Sequence, residues 1–212
     1  MSPRSPSVNE ELRRRSRERL LQATVELVAE HGYEATTLGD IADRAGSARG
    51  LISYYFPGKR QLVQSAVHRL MHRSLAAAME REPRAADGGE VLARAIDAIL
   101  GLALDQRMLM RQHMAGILQS DGFIRCEEQQ VLERLLRAAV VAHGSPDPDA
   151  DYPMLRAQLM GAVFALLLPG APMPYARLRA ELFDRYGLDR ESGSPPPGGA
   201  GDGEPVVRGD QR

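Results

Sequence analysis

Cysteine occurs once in this 212-residue chain, as Cys126, so no disulfide can form within one chain and a reducing cytoplasm is the expected setting. Long apolar runs are missing too. The most apolar stretch, AVFALLLPG near residue 165, falls short of the roughly 20 residues a membrane span needs, so no membrane association is expected. The start, MSPRSPSVNEELRRRSRER, has no apolar core and does not read as a signal peptide. Glycine-rich phosphate loops are absent; GAGDG lies in a tail rich in Gly, Pro and charge from Ser192, where no order is expected. None of the five histidines stands in a Ser-His-Asp, HExxH or nucleophile-elbow context, so no enzyme is expected, nor any cofactor. His68 and His72 stand four apart on one helical face, a spacing that can bind metal, but with no third ligand nearby no metal site is assigned. Lysine is nearly absent as well: of 27 basic residues only Lys59 is lysine.

Net charge is -1, but its distribution is uneven. The chain through Arg73 carries +4 and the remainder -5. That asymmetry fits a nucleic-acid-binding head on an acidic body, and it fits scatter in surface charge equally well. The apolar pattern is helical throughout, and no strand or repeat is visible. The fold class expected is all-α, with an N-terminal three-helix helix-turn-helix domain and a C-terminal helical bundle for dimerisation and ligand binding. The domain boundaries follow the breaks: a disordered arm over 1–11, a helix-turn-helix domain over 12–58, a ligand-binding and dimerisation domain over 59–190 and a disordered tail over 191–212.

The first helix carries Leu20, Thr24, Leu27 and Val28 inward and stops at Gly32. Thr37 can cap a second helix, LGDIADRA, by accepting from the backbone N–H of Asp40. Gly46 breaks that helix, and a short third follows over Ala48–Tyr54. A fourth starts near Lys59, after Pro57-Gly58, and further helices are expected near 90–104, 106–119, 122–143, 153–168 and 175–187. A capped helix, a glycine turn and a short helix make either a helix-turn-helix or an ordinary helical hairpin. In the first case Ala48, Arg49, Gly50 and Ser53 form the face turned to the bases, Arg49 offering a fork to guanine or a charge to phosphate. Tyr54, Tyr55 and Lys59 would then fix the register through phosphates. Whether the Arg13–Arg19 segment reaches DNA stays open.

AEHGYEATT, then DIADRAG, then YYFPGK, over about residues 18–68, resemble the DNA-binding domain of the TetR family of bacterial transcriptional regulators. The resemblance implies a homodimer of nine-helix subunits, bound to a palindromic double-stranded DNA operator and released by a small-molecule effector. It implies phosphate contact at Thr37, a basic residue on DNA at Arg49, and backbone contacts from Tyr54, Tyr55 and Lys59. Four positions depart from the family pattern. Ser47 stands where an apolar residue is usual and Ala48 where Ser or Thr caps the third helix, while Leu51 and Ser53 replace Thr and Tyr. Ser47 could take over the cap, and an operator unlike the family's common ones is expected.

In the C-terminal body, Leu155, Leu159, Val163 and Leu166, interrupted by small residues, with Leu178 and Leu182, form a candidate dimer interface or else ordinary intrachain packing. Met110, His113, Met114, Ile117 and Phe164 are the candidate lining of a pocket for an unknown small apolar or aromatic effector, or else core filler. Function is thus expected to be that of a ligand-released repressor. A nonspecific DNA-binding structural protein and a metal-responsive regulator are the alternatives.

Overall fold

The computed structural model describes residues 6–118 and 125–193. Among these residues all regular structure is helical: α1 (Pro6–Ala35), α2 (Leu38–Arg44), α3 (Arg49–Tyr55), α4 (Lys59–Glu80), α5 (Gly88–Asp105), α6 (Arg107–Ile117), α7 (Glu127–Ala142), α8 (Pro148–Leu167) and α9 (Tyr175–Tyr186). No described helix is long and apolar enough to cross a membrane.

Two apolar clusters divide the molecule. Leu20, Leu21, Leu27, Ile41, Ile52, Phe56, Leu62 and Ala66 close a small core among α1–α4. A larger one gathers Leu75, Leu92, Ile96, Leu109, Met110, Leu136, Leu155, Leu159, Val163 and Phe183. Helix α4 belongs to both. Leu62 and Ala66 face the small core, while Val63 and Val67, each one residue on and so about 100° around the helix, face the large one. Residues 62–69 are therefore buried on every side. A helix gripped by both cores cannot shift against one without disturbing the other.

Three expected boundaries move. Residues 6–11, expected to be part of a disordered arm, are the first turns of α1. No apolar stripe marks them: Val8 is exposed, and at their end Glu11 turns to the next turn of the helix, pairing with Arg14 at 2.9 Å and Arg15 at 2.6 Å. Helix α8 starts five residues before 153. Asp147 accepts from the backbone N–H of Ala150, and Pro148 takes the first helical position, where a missing N–H costs nothing. Helix α7 runs from Glu127, with Glu127 and Glu128 in its first turn against the positive end of the helix dipole; the start expected at 122 lies outside the described residues. Of the expected tail, residues 191–193 are described, the backbone N–H of Ser192 bonding the Asp189 carbonyl at 3.0 Å; the rest lies outside the described residues.

The turn from α4 to α5 is fastened by Arg94, a fully buried arginine. Its guanidinium donates to the carbonyls of Arg81 (2.7 Å) and Pro83 (2.6 Å) and pairs with Glu90 at 2.7 Å, so the buried charge is both neutralised and hydrogen-bonded. Further ion pairs tie α1 to the body: Arg17 with Glu128 at the start of α7, and Glu18 with Arg69 of α4.

Candidate DNA-binding and effector sites

Thr37 and Asp40 build the start of α2. Thr37 Oγ1 accepts from Asp40 N–H at 3.1 Å, and the Asp40 carboxylate accepts from Thr37 N–H at 3.0 Å, a reciprocal capping box. The Thr37 hydroxyl, donating to Asp40 Oδ2 at 2.7 Å, and then the Thr37 backbone N–H hold the Asp40 carboxyl below the usual carboxylate range. Thr37→Ala is expected to cost about 1 kcal/mol of stability, read by chemical unfolding; an unchanged midpoint would mean the cap adds nothing. Gly46, at φ +58, makes the turn, a conformation that a side chain would strain. The cap of α3 is a correction. Ala48 occupies the N-cap with no side-chain bond, and Ser47 does not replace it: the Ser47 hydroxyl is buried without a partner.

Ile52 and Phe56 point into the core, so the opposite face of α3 is outward: Ala48, Arg49, Gly50, Ser53 and Tyr54 are all exposed, Tyr54 to 65%. Arg49 lies across α2. Its guanidinium is 3.8 Å from Asp43, and a Cβ added at Gly39 would sit only 3.0 Å from it. Glycine there lets the arginine lie flat over the first helix of the pair. Tyr55, half-buried, is committed within the chain, donating its hydroxyl to the Arg13 carbonyl at 3.2 Å. Lys59 donates to the Glu34 carbonyl at 3.3 Å and sits 4.2 Å over the Tyr33 ring. An ammonium has three donors, so this leaves capacity for a phosphate. The Arg13–Arg19 segment is helical, with Arg13 beside the end of α3 and Arg17 drawn toward Glu128.

The body holds a second site. His68 and Met71 of α4, Met110, His113, Met114 and Ile117 of α6, Leu132 and Leu136 of α7, and Leu159 and Val163 of α8 line a cavity of about 580 Å³ of empty space, open mouth included. Of the five pocket residues expected, four meet here; Phe164 does not, being half exposed on the far side of α8. Sequence reasoning missed its polar members, Gln129 and Glu133 on α7 and Tyr152 and Arg156 on α8. The His113 and His68 rings meet edge to face at 4.8 Å. Burial, and then the Arg156 guanidinium, hold the His113 pKa down at about 4; burial, and then His113, hold that of His68 well below its ordinary value. Both imidazoles are neutral at pH 7. His68 Nδ1 lies 3.2 Å from Cys126 Sγ, whose thiol burial pushes up. His68 thus turns toward α6 and α7, while His72 borders a groove with Arg17 and Glu128. No three His, Cys, Asp or Glu side chains among the described residues converge to hold a metal.

The expected dimer residues also need correction. Leu155, Leu159, Val163, Leu166 and Leu182 are buried within one chain, two of them lining the pocket. The outward side of α8 carries another stripe: Met154, Ala157, Gly161, Phe164 and Leu168, spaced 3, 4, 3 and 4 residues apart, with Met154 and Phe164 51% and 49% exposed. Leu178, half-buried, borders a shallow groove between α8 and α9 together with Gly161.

Residues 20–66 match the family model described as bacterial regulatory proteins, tetR family. The chain is 31% identical over 146 residues to the HTH-type transcriptional repressor KstR of Mycobacterium tuberculosis, covering 66% of this chain and 64% of that one. Over 75 residues it is 35% identical to the probable acrEF/envCD operon repressor of Escherichia coli, covering 32% and 34%. The chain thus spans less than two thirds of the length of these curated relatives. Among solved structures, a TetR transcriptional regulator from Rhodococcus sp. RHA1 superposes with a TM-score of 0.63 at 17% identity, over 83% of this chain and 94% of that one. At that identity the likeness speaks for the fold, and it extends the match through the helical body.

Proposed function

We propose that this chain, a member of the tetR family of bacterial regulatory proteins, is a cytoplasmic, sequence-specific transcriptional repressor that leaves a palindromic operator when a small molecule enters its body. The observation that carries the reading is the capped α2, the tight turn at Gly46 and the wholly outward face of α3, from Ala48 to Tyr54. Residues 12–58 form the reading head and 59–190 the ligand-binding and pairing body, with α4 gripped by both cores. Two copies pair through the outward stripe of α8 and the groove beside α9. Pairing sets the two α3 helices roughly 34 Å apart, one turn of duplex DNA. The cavity between α4, α6, α7 and α8 takes the effector, whose occupancy moves α4 and spoils that spacing. The effector can weaken operator binding only by its own preference for the released state.

Arg49→Ala is expected to weaken operator binding at least about tenfold and to loosen sequence preference; Tyr54→Phe weakens it without loosening preference. Titration of labelled operator variants at fixed salt reads both. Parent-like binding by both variants would remove α3 from the interface.

A further inference from the structure

Two residues that line the cavity carry buried polar atoms without hydrogen-bond partners, and these atoms bear on what the cavity is built to hold. Gln129 and His113 are each only 5% exposed and both line the cavity. Gln129 donates its amide N–H to Glu133 at 3.2 Å, which fixes the other end of the amide: Oε1 is buried with no partner. His113 Nδ1 is likewise buried and unpartnered. His68, which also lines the cavity, touches Cys126, one turn before Gln129, through Nδ1 and meets the His113 ring edge to face. Gln129 stands on α7 and His113 on α6, and Met71, Leu132, Leu159, Met160 and Val163 give the same cavity its apolar lining.

A buried acceptor without a donor costs free energy, and a ligand that supplies the donor recovers it. Gln129 Oε1 can be satisfied only by an N–H or O–H. A carboxylate brings further acceptors and leaves that oxygen orphaned. A cation meets Arg156 and an anion meets Glu133; the two charges line one cavity, and the imidazoles beside them are uncharged at pH 7, so the lining has no net charge to balance. A hydroxyl both donates and accepts, and so serves Gln129 Oε1 and either tautomer of His113.

We propose that the effector is a neutral, mainly apolar molecule bearing a hydroxyl group, donated to Gln129 Oε1 beside His113. This rests on the cavity being the effector site. Three probes with one body separate the head groups: 4-butylphenol, 4-butylbenzoate and butylbenzene, titrated into the full chain by calorimetry at pH 7.5. The phenol is expected to bind about tenfold more tightly than the hydrocarbon and to exceed the benzoate. In Gln129→Leu the preference for phenol over hydrocarbon is expected to vanish while both still bind. The variant also loses the N–H that Gln129 gives Glu133, so the readout is the ratio of phenol to hydrocarbon affinity within each protein and not the melting point. A stronger benzoate, or a hydrocarbon equal to the phenol, overturns the hydroxyl assignment and leaves the cavity as an effector site. Binding by none of the three overturns both the assignment and the cavity reading, while operator binding stands or falls separately.

Discussion

Gly161→Arg is expected to leave the chain folded but monomeric, and to cut operator affinity about a thousandfold. Position 161 has nothing within 4 Å of a built Cβ, so one chain accommodates a side chain there without strain. Replacing a mid-helix glycine also favours α8 by up to about 1 kcal/mol. Within a two-fold pairing of α8 stripes the same side chain meets its own copy. It pushes apart helices that small residues had let approach, and it places two guanidinium groups in an apolar seam between Ala157 and Phe164. A monomer then engages half a palindrome, without the gain that comes from linking two half-sites. Light scattering reads the mass, and a gel shift reads the affinity. A dimer that persists with parent affinity would move the interface away from α8.

Acidification from pH 7 to pH 5 is expected to cost about 2 kcal/mol through His113 alone. Its folded pKa, about 4, lies below its unfolded value near 6.5, so between those values the unfolded chain binds a proton that the folded chain refuses. Stability is therefore full above about pH 6.5 and falls as pH drops toward 4. His68, lowered in the same direction and facing His113 and Cys126, adds a loss of the same sign. Carboxylates titrate mainly below this window, which separates them from the imidazoles. Guanidinium unfolding at pH 7 and pH 5 reads the loss, and His113→Phe is expected to shrink it. An equal loss in parent and variant would mean that the buried imidazole accepts its proton without penalty.

Elements whose signal is local were legible in the sequence. Thr37 and Asp40 lie three residues apart, Gly46 and Gly32 mark their own turns, and the outward face of α3 follows from the inward Ile52 and Phe56. The face proposed for pairing was not legible, because α8 is apolar on both sides. Leu155, Leu159, Val163 and Leu166 make one stripe, Met154, Ala157, Gly161, Phe164 and Leu168 the other, and periodicity alone cannot say which meets the chain's own core. Phe164 was placed in the pocket for the same reason. The start of α1 was hidden because its first turns are exposed and carry no apolar stripe, Val8 included, before the Glu11 pairs with Arg14 and Arg15. The polar part of the pocket comes from α4, α6, α7 and α8, and nothing in the spacing of Gln129, Glu133, Tyr152 and Arg156 announces that they meet His113 in space.

Selection of duplex DNA from a random pool by the purified chain, at near-physiological salt, tests the central claim most directly. A repressor that reads DNA with two copies of α3 enriches a palindrome whose half-sites lie about one helical turn apart, and Arg49→Ala enriches it poorly or relaxed at one position. Recovery of no sequence, with weak binding that fades steeply as salt rises, would leave only the electrostatic attraction of a basic head for phosphate and would contradict sequence-specific repression.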